Sequence, residues 1–141
     1  MPIEIEYLDD GLGVLLTGHG IVTGEDIIRS NNQIFSSEEK MIKHKYGLID
    51  YSNITQFEVA TSEVEMIVSQ EKKASEHLQD GVLAVVAQKD LVFGINRMWE
   101  IIAENSGLRW ETMVFRDRGD AVEWIKEKVK EKFGIDDLTF G

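Results

Sequence analysis

The stretch VLAVVA at residues 82–87 is followed by the polar residues QKD and then by the apolar pattern of residues 91–103. A short continuous apolar run is typical of a strand buried on both faces, and apolar residues three and four apart are typical of a helix packed on a sheet. Helical patterning also follows the apolar runs at residues 12–16, 47–49 and 112–115. Strands that alternate with helices predict a mostly parallel sheet covered by helices.

One further strand is predicted before the first of these units. Residues 3–7 (IEIEY) alternate apolar and acidic side chains, which is typical of a half-buried strand at the edge of a sheet. The turn signal DDG at residues 9–11 predicts antiparallel pairing with the strand that follows. The predicted fold class is therefore α/β, of order ββαβαβαβα, with a five-stranded mostly parallel sheet, an antiparallel N-terminal edge strand and four helices.

A single domain is predicted, because the 141 residues contain one continuous pattern and no linker. It covers residues 1–134, and residues 135–141 are predicted to form a frayed C-terminal tail. The alternative for this tail is docking on the body or on a partner through Ile135, Leu138 and Phe140.

Cap signals predict where the helices begin. Thr23-Gly24-Glu25-Asp26 predicts a first helix that runs to about Phe35, and Asp117-x-x-Asp120 predicts the last helix, which ends near Phe133. Ser62-x-x-Glu65 matches a capping box for the second helix, and Asp90 is predicted to cap the third. The second helix has a single stripe of residues at helical spacing, with Val68 and Ser75 beside it; the stripe consists of Val64, Ile67, Glu71, Ala74 and Leu78.

Two segments between these elements are predicted to be solvated connections. Residues 53–60 are largely polar and follow the central strand. A basic cluster precedes that strand and is interpreted as a helix-to-strand connection rather than a binding patch; it consists of Lys40, Lys43, His44 and Lys45.

The third helix carries more apolar surface than one sheet face should cover. Its predicted core stripe is Leu91, Ile95, Met98 and Ile102, with Val92, Trp99 and Ala103 on a flank. Phe93 falls in the polar arc one turn before Arg97, a spacing that allows a cation–π contact. We therefore predict that this surface is the lip of a ligand pocket or an interface, with a homodimer that buries Trp99 or Phe93. The alternatives are that Phe93 is an exposed ring sheltered by Arg97, and that the first helix, the last helix or residues 135–140 cover the flank within one chain.

The composition argues against several classes of function. The chain has no cysteine, which excludes disulfides, thiolate metal sites and cysteine nucleophiles. A net charge of −11 repels a phosphate backbone, so nucleic acid is not an expected partner. The apolar runs are far shorter than the ~18 residues of a membrane span, and residues 1–6 do not match a secretory signal, so a cytoplasmic location is expected. No spacing of His44 and His77 suggests a metal, and no cofactor is expected.

Four stretches, taken with the order of elements, carry a resemblance to a known fold: GHGIVTGED at residues 18–26, LIDYS at 48–52, DLVFGINRMWE at 90–100 and VFRDRGDAVEWI at 114–125. They resemble the SpoIIAA-like fold. That fold is shared by STAS domains, which include anti-sigma-factor antagonists and transporter tails, and by small lipid-carrier CRAL-TRIO domains. The chain is similar to small bacterial proteins of this superfamily with no settled function.

The resemblance to STAS domains implies a regulated serine in a D-S-S-G-L-type stretch. The matching region here is residues 61–64, which makes Ser62 the candidate for phosphorylation, although the glycine and leucine of that stretch are absent. Glu58, Glu63 and Glu65 surround it, and these like charges disfavour an added phosphate.

The carboxyl ends of the parallel strands are the predicted position of a site, because ligands of such sheets bind there. This edge collects His19, Asp50, Ser52 and Arg116, to which the third helix adds Phe93, Arg97 and Trp99. We expect a non-enzymatic regulatory or ligand-binding module that recognises a partner protein or a small apolar ligand. The alternative is a hydrolase that uses Ser52, His19 and Asp50 as a triad, although no small residues flank the serine as they do in a nucleophile elbow.

Overall fold

A computed structural model describes residues 2–77 and 80–140 of the chain as one sheet with helices on both faces. The strands are β1 (Ile3–Leu8), β2 (Gly13–Thr23), β3 (Tyr46–Glu58), β4 (Val82–Val86) and β5 (Glu111–Phe115). The helices are α1 (Gly24–Phe35), α2 (Glu38–Lys43), α3 (Thr61–Ser75), α4 (Asp90–Ser106) and α5 (Arg118–Phe133), and a short 3₁₀ turn covers Asp9–Gly11.

The five strands lie side by side in chain order, from β1 to β5. β1 pairs antiparallel with β2, and every later pair is parallel. The predicted sheet and its antiparallel N-terminal edge strand are confirmed. The number of helices differs from the prediction, because the described residues contain five rather than four.

The additional helix is α2, which lies in the basic cluster that was predicted to be a solvated connection. The Ser37 hydroxyl accepts a hydrogen bond from the Lys40 backbone N–H at 3.3 Å and caps this helix, while Met41 is buried beneath it. His44 is also buried, and its Nδ1 lies 2.9 Å from the Gly11 carbonyl oxygen. The prediction that this basic cluster is solvated is therefore wrong for His44, which is buried where α2 meets the core.

β2 and β3 are longer than their apolar runs predicted. Beyond a register shift between Thr17 and His19, the two strands continue as a parallel pair as far as Thr23 and Glu58. Ile54 and Phe57 point into the core from this extension. The prediction of a solvated connection at residues 53–60 was therefore wrong, because two buried apolar residues among polar ones are enough to hold a strand on the sheet.

Two of the four predicted helix caps are present. Thr23 and Asp26 cap α1 reciprocally, and the Asp117 carboxylate accepts a hydrogen bond from the Asp120 N–H at the start of α5. The other two were wrong. α3 begins at Thr61, where Glu63 accepts from the Ala60 N–H at 2.9 Å, and Asp90 is the first residue of α4 rather than its cap.

The two faces of the sheet carry separate apolar cores. One core lies beneath α1, α3 and α4, and the other lies beneath α5. The predicted stripe of α3 is buried at Val64, Ile67, Glu71 and Ala74, whereas Leu78 lies outside the described residues.

The buried face of α4 is rotated from the predicted one. Val92, Trp99 and Ala103, which were assigned to the flank, are buried, whereas Leu91 is 67% exposed. Ile95, Met98 and Ile102 are only partly buried. The prediction was wrong because it assigned the buried face from hydrophobicity alone. It therefore left out the buried polar residues Asn96 and Glu100, which share this face.

The C-terminal segment packs against the α5 face rather than fraying. Leu138 is buried, and the rings of Phe140 and Tyr46 lie 4.8 Å apart between centroids. The Asp9 carboxylate accepts hydrogen bonds from the backbone N–H groups of Thr139 and Phe140, at 2.9 and 3.2 Å. For residues 135–140 the docking alternative therefore describes the structure.

Candidate functional site

Asp50 lies within the central strand β3, in register with Val86 at the end of β4, on the face covered by α5. Its carboxylate accepts hydrogen bonds from the Ser52 backbone N–H at 2.9 Å and from Arg118 Nη1 at 2.8 Å. Burial alone would raise the pKa of Asp50, but Ser52 and Arg118 outweigh burial and hold the pKa below its usual value of 3.8. Asp50 is therefore an ionised partner of Arg118, the first residue of α5.

His19 lies in the extension of β2, in register with Asn53. Its Nε2 is 3.6 Å from a Glu4 carboxylate oxygen on the neighbouring edge strand. Among the described residues, no hydrogen bond joins His19 to Ser52 or to Asp50, so these three side chains do not form a catalytic triad. Sequence reasoning brought them together because it treated residues 18–20 as a loop at the end of a shorter strand.

Arg116 follows the last strand and forms the second polar cluster of this edge. Its Nη1 donates to the Gln88 carbonyl oxygen at 3.1 Å and to Asp90 Oδ1 at 2.7 Å. Its guanidinium carbon lies 4.2 Å from the centroid of the Phe93 ring. The cation–π contact predicted for Phe93 is thus made by Arg116 and not by Arg97, which pairs with Glu100 instead.

The sheet order explains why this edge offers paired charges rather than a crevice. Doubly wound sheets open a crevice where the strand order reverses. Here the parallel strands β2 to β5 follow in chain order without a reversal. The cations Arg116 and Arg118 are held by Asp90 and Asp50, and Lys89 Nζ donates to the Ile54 carbonyl oxygen at 2.9 Å.

Trp99 lies away from this edge, in the core on the opposite face of the sheet. It is 5% exposed, and its Nε1 donates to Glu71 Oε1 at 2.6 Å. Glu71 itself is 3% exposed, and Oε2 accepts no hydrogen bond from residues 2–77 or 80–140. Burial raises the pKa of Glu71 to about 8, although the hydrogen bond from Trp99 opposes this shift.

Two cavities lie between the sheet and the helices that cover this face. The first has a volume of about 70 Å³ and the second about 30 Å³. Both are lined mainly by apolar side chains, and the residues common to both are Leu16, Asn31, Ile49 and Glu71. The buried acid therefore lies where the two cavities adjoin.

Glu100, in α4, is a second buried acid, and both of its carboxylate oxygens have partners. Oε2 accepts from the Val114 backbone N–H at 2.9 Å, and Oε1 pairs with Arg97. Burial raises the pKa of Glu100, and Arg97 and Val114 partly offset this effect. Glu100 thus joins α4 to β5, and Arg97 belongs to this structural pair rather than to an open site.

Ser62 is exposed in the first turn of α3, with its side chain facing solvent rather than capping the helix. The structural role that the sequence assigned to it is therefore absent. Glu63 next to it already accepts a hydrogen bond from Ala60, the residue that precedes the helix.

Sequence reasoning placed Glu71 in a buried stripe but did not recognise it as a site residue. The available signal was an acidic residue among apolar ones at helical spacing. What the sequence could not show is that Trp99, 28 residues further on, supplies the hydrogen bond. In the part of the chain that the structure describes, no three His, Asp or Glu residues group as a metal site, and no helix is long and apolar enough to cross a membrane.

The comparisons with known proteins define the fold. No protein-family model matches the sequence, and no curated protein does. Among solved structures, a protein of the DUF3478 family from Shewanella loihica PV-4, described as having a SpoIIAA-like fold, matches with a TM-score of 0.54 and 19% identity. That match covers 87% of this chain and 91% of the other.

A second solved structure gives the same assignment. The anti-sigma factor antagonist SpoIIAA in its unphosphorylated form matches with a TM-score of 0.55 and 8% identity, over 87% of this chain and 96% of that one. This chain therefore has the SpoIIAA-like fold, as its sequence pattern predicted.

Proposed function

We propose that this chain is a non-enzymatic, cytoplasmic binding module that takes a small apolar ligand between its sheet and helices α1, α3 and α4. The observation that carries the proposal is the pair of adjoining cavities with mainly apolar linings. Apolar cavities bind apolar molecules because ligand burial removes hydrocarbon from water without breaking hydrogen bonds. A few polar groups in such a lining fix the orientation of the ligand, and Glu71 has this position here.

The test is ligand-dependent stabilisation with a variant that fills the cavity. Ile49 lines both cavities, and Ile49→Phe adds volume there. Leu91→Phe is the matched control, because it adds the same ring to an exposed position of α4. Each protein is titrated with 1-hexanol while its melting temperature is recorded, after circular dichroism has established that the variants are folded.

We expect 1-hexanol to raise the melting temperature of the parent and of Leu91→Phe, but not that of Ile49→Phe. Native mass spectrometry of the freshly purified parent provides a second readout through any apolar molecule that copurifies. The same change in melting temperature with 1-hexanol in all three proteins would contradict the proposal.

A second candidate function is regulation through a protein partner. The specific observation in its favour is the exposure of Ser62 in the first turn of α3, where the backbone N–H groups of the helix favour a phosphate and the carboxylates of Glu58, Glu63 and Glu65 oppose it. A Ser62→Asp variant that changes which protein copurifies with the chain, relative to Ser69→Asp on the exposed face of the same helix, would support this function.

A further inference from the structure

Glu71 is a buried acid without a cationic partner. None of the ion pairs among the described residues includes it, and its hydrogen bond comes from the neutral indole of Trp99. A buried charge without a partner is costly, so the empty protein stabilises the neutral carboxylic acid. An acid of this kind at a cavity wall destabilises the fold under neutral and basic conditions, which marks it as a candidate binding group.

Among the described residues that line the two cavities, the groups around Glu71 provide hydrogen-bond acceptors but no available cation. Asn31 of α1 and Asn96 of α4 use their side-chain N–H groups on the Gln70 side chain and on the Val92 carbonyl oxygen. Tyr51 of β3 also lines the smaller cavity, and its buried hydroxyl has a pKa well above the usual value of 10. A positively charged group would therefore be complementary to this part of the lining.

The two basic residues that line the larger cavity are engaged elsewhere. His44 Nδ1 lies 2.9 Å from the Gly11 carbonyl oxygen, and burial lowers the pKa of His44, which disfavours a positive charge on its ring. The Lys45 ammonium lies over the ring of Phe133, at 5.1 Å from the centroid, and Phe133 belongs to the core of the opposite face. If Glu71 ionised, its carboxylate would therefore have no cationic partner among the described residues of the empty protein.

We propose that Glu71 binds the ammonium group of a small apolar amine, whose hydrocarbon part occupies the adjoining cavities. This inference rests on the proposed function, because it names the chemical class of the ligand. On binding, the neutral carboxylic acid loses its proton to solvent, and the resulting carboxylate pairs with the incoming ammonium. Each bound amine therefore releases up to one proton, and a neutral alcohol of the same length releases none.

Calorimetric titration of the full chain with hexylammonium chloride at pH 7 tests this proposal. The titration is run in two buffers with different enthalpies of ionisation, so that the number of protons released is measured directly. We expect release of more than half a proton per hexylammonium and none for 1-hexanol. Glu71→Gln, which keeps an acceptor for Trp99, is expected to bind hexylammonium at least tenfold more weakly while its affinity for 1-hexanol changes less than threefold.

Glu65→Gln is the matched control, because Glu65 is exposed on the same helix and reports attraction of the amine to the acidic surface. Equal hexylammonium affinity in the parent and in Glu71→Gln would overturn the amine proposal, as would binding without proton release. If 1-hexanol binds and hexylammonium does not, the amine proposal fails and the binding module stands. If neither ligand binds the parent, the proposed function fails as well.

Discussion

Glu71 is the residue whose surroundings differ most from those of an ordinary helix surface. Its helical spacing with Val64, Ile67 and Ala74 predicted a buried position, and that prediction is confirmed. Its chemistry could not be predicted in the same way, because the donor Trp99 and the neighbouring Tyr51 come from other elements. Periodicity reports which residues share a face, but it does not report what a second element brings to that face.

The unfolding free energy of the chain should depend on pH because of Glu71. Its pKa is about 8 in the folded chain and close to 4.5 in the unfolded chain, so the folded chain holds the extra proton between these values. The contribution of Glu71 to stability is therefore present at low pH and is lost as the pH rises towards 8. Relative to the parent, Glu71→Gln should gain roughly 2–4 kcal/mol of unfolding free energy between pH 5 and pH 9.

Urea unfolding of the parent and of Glu71→Gln at a series of pH values measures this difference. Subtracting one protein from the other removes the contributions of groups such as His44 and Asp50, which titrate in both. A difference in unfolding free energy that is constant across this range would contradict the raised pKa of Glu71.

Among the elements, α5 follows its sequence signals most closely. The side chain of Asp117 accepts the Asp120 N–H, and the helix ends at Phe133 before a left-handed Gly134, both as local chemistry requires. α3 and α4 begin differently from the prediction, because the Glu63 carboxylate accepts the Ala60 N–H at the start of α3 and the Asp90 carboxylate pairs with Arg116 at the start of α4. Asp90 binds Arg116 from the end of β5, and no local pattern contains that information.

Asp117→Ala should lower the unfolding free energy by about 0.5–2 kcal/mol, as expected for the loss of a helix cap. The control is Asp136→Ala, a change of the same kind at an exposed position beyond the helix. Chemical denaturation measures both variants. Equal stability of the two would show that the Asp117 side chain does not stabilise the start of α5.

The C-terminal segment depends on one side chain at the other end of the chain. Besides the two backbone N–H groups, Asp9 accepts hydrogen bonds from the hydroxyls of Thr139 and Tyr46, at 2.7 and 2.6 Å. Burial raises the pKa of Asp9, but these hydrogen bonds outweigh it and lower the pKa below 3.8. The hydrogen bonds that hold the C-terminal segment on Asp9 therefore persist above pH 3.8 and weaken as the pH falls through the lowered pKa of Asp9.

We predict that Asp9→Ala releases residues 135–140 while the sheet remains folded. Hydrogen exchange at the Thr139 and Phe140 amides should become at least tenfold faster, because both lose their acceptor. Asp10→Ala is the matched control, since Asp10 is exposed and shares the left-handed backbone of its neighbour. Unchanged exchange in Asp9→Ala would mean that the apolar contacts of Leu138 and Phe140 alone hold the segment.

For the whole molecule, sequence patterning predicted the α/β class, the succession of strands along the chain and the antiparallel edge. It did not predict the extension of β2 and β3, because the apolar content of residues 53–58 is low and their pairing is set by tertiary contacts. That extension moved His19 out of the expected site. The cavities were also beyond prediction, since they depend on how imperfectly three helices cover one sheet face.

The predicted homodimer was to bury Trp99 or Phe93. The Trp99 indole is already buried against Glu71 within one chain, so it offers no surface to a second copy. Phe93 is also partly covered, since Arg116 lies over its ring. We therefore expect Phe93→Glu to leave the association state unchanged in sedimentation at tens of micromolar. A dimeric parent that becomes monomeric in Phe93→Glu would restore the predicted interface.

Carbon-13 NMR of the Glu71 carboxyl group measures whether this buried acid stays neutral until a cation binds. The Glu71 signal is assigned in glutamate-labelled protein by its disappearance in Glu71→Gln. We expect a titration midpoint near pH 8 in the free chain and a midpoint shifted to lower pH by saturating hexylammonium. A midpoint near 4.5 in the free chain, or one that the amine does not move, would contradict the assignment of Glu71 as the amine-binding acid.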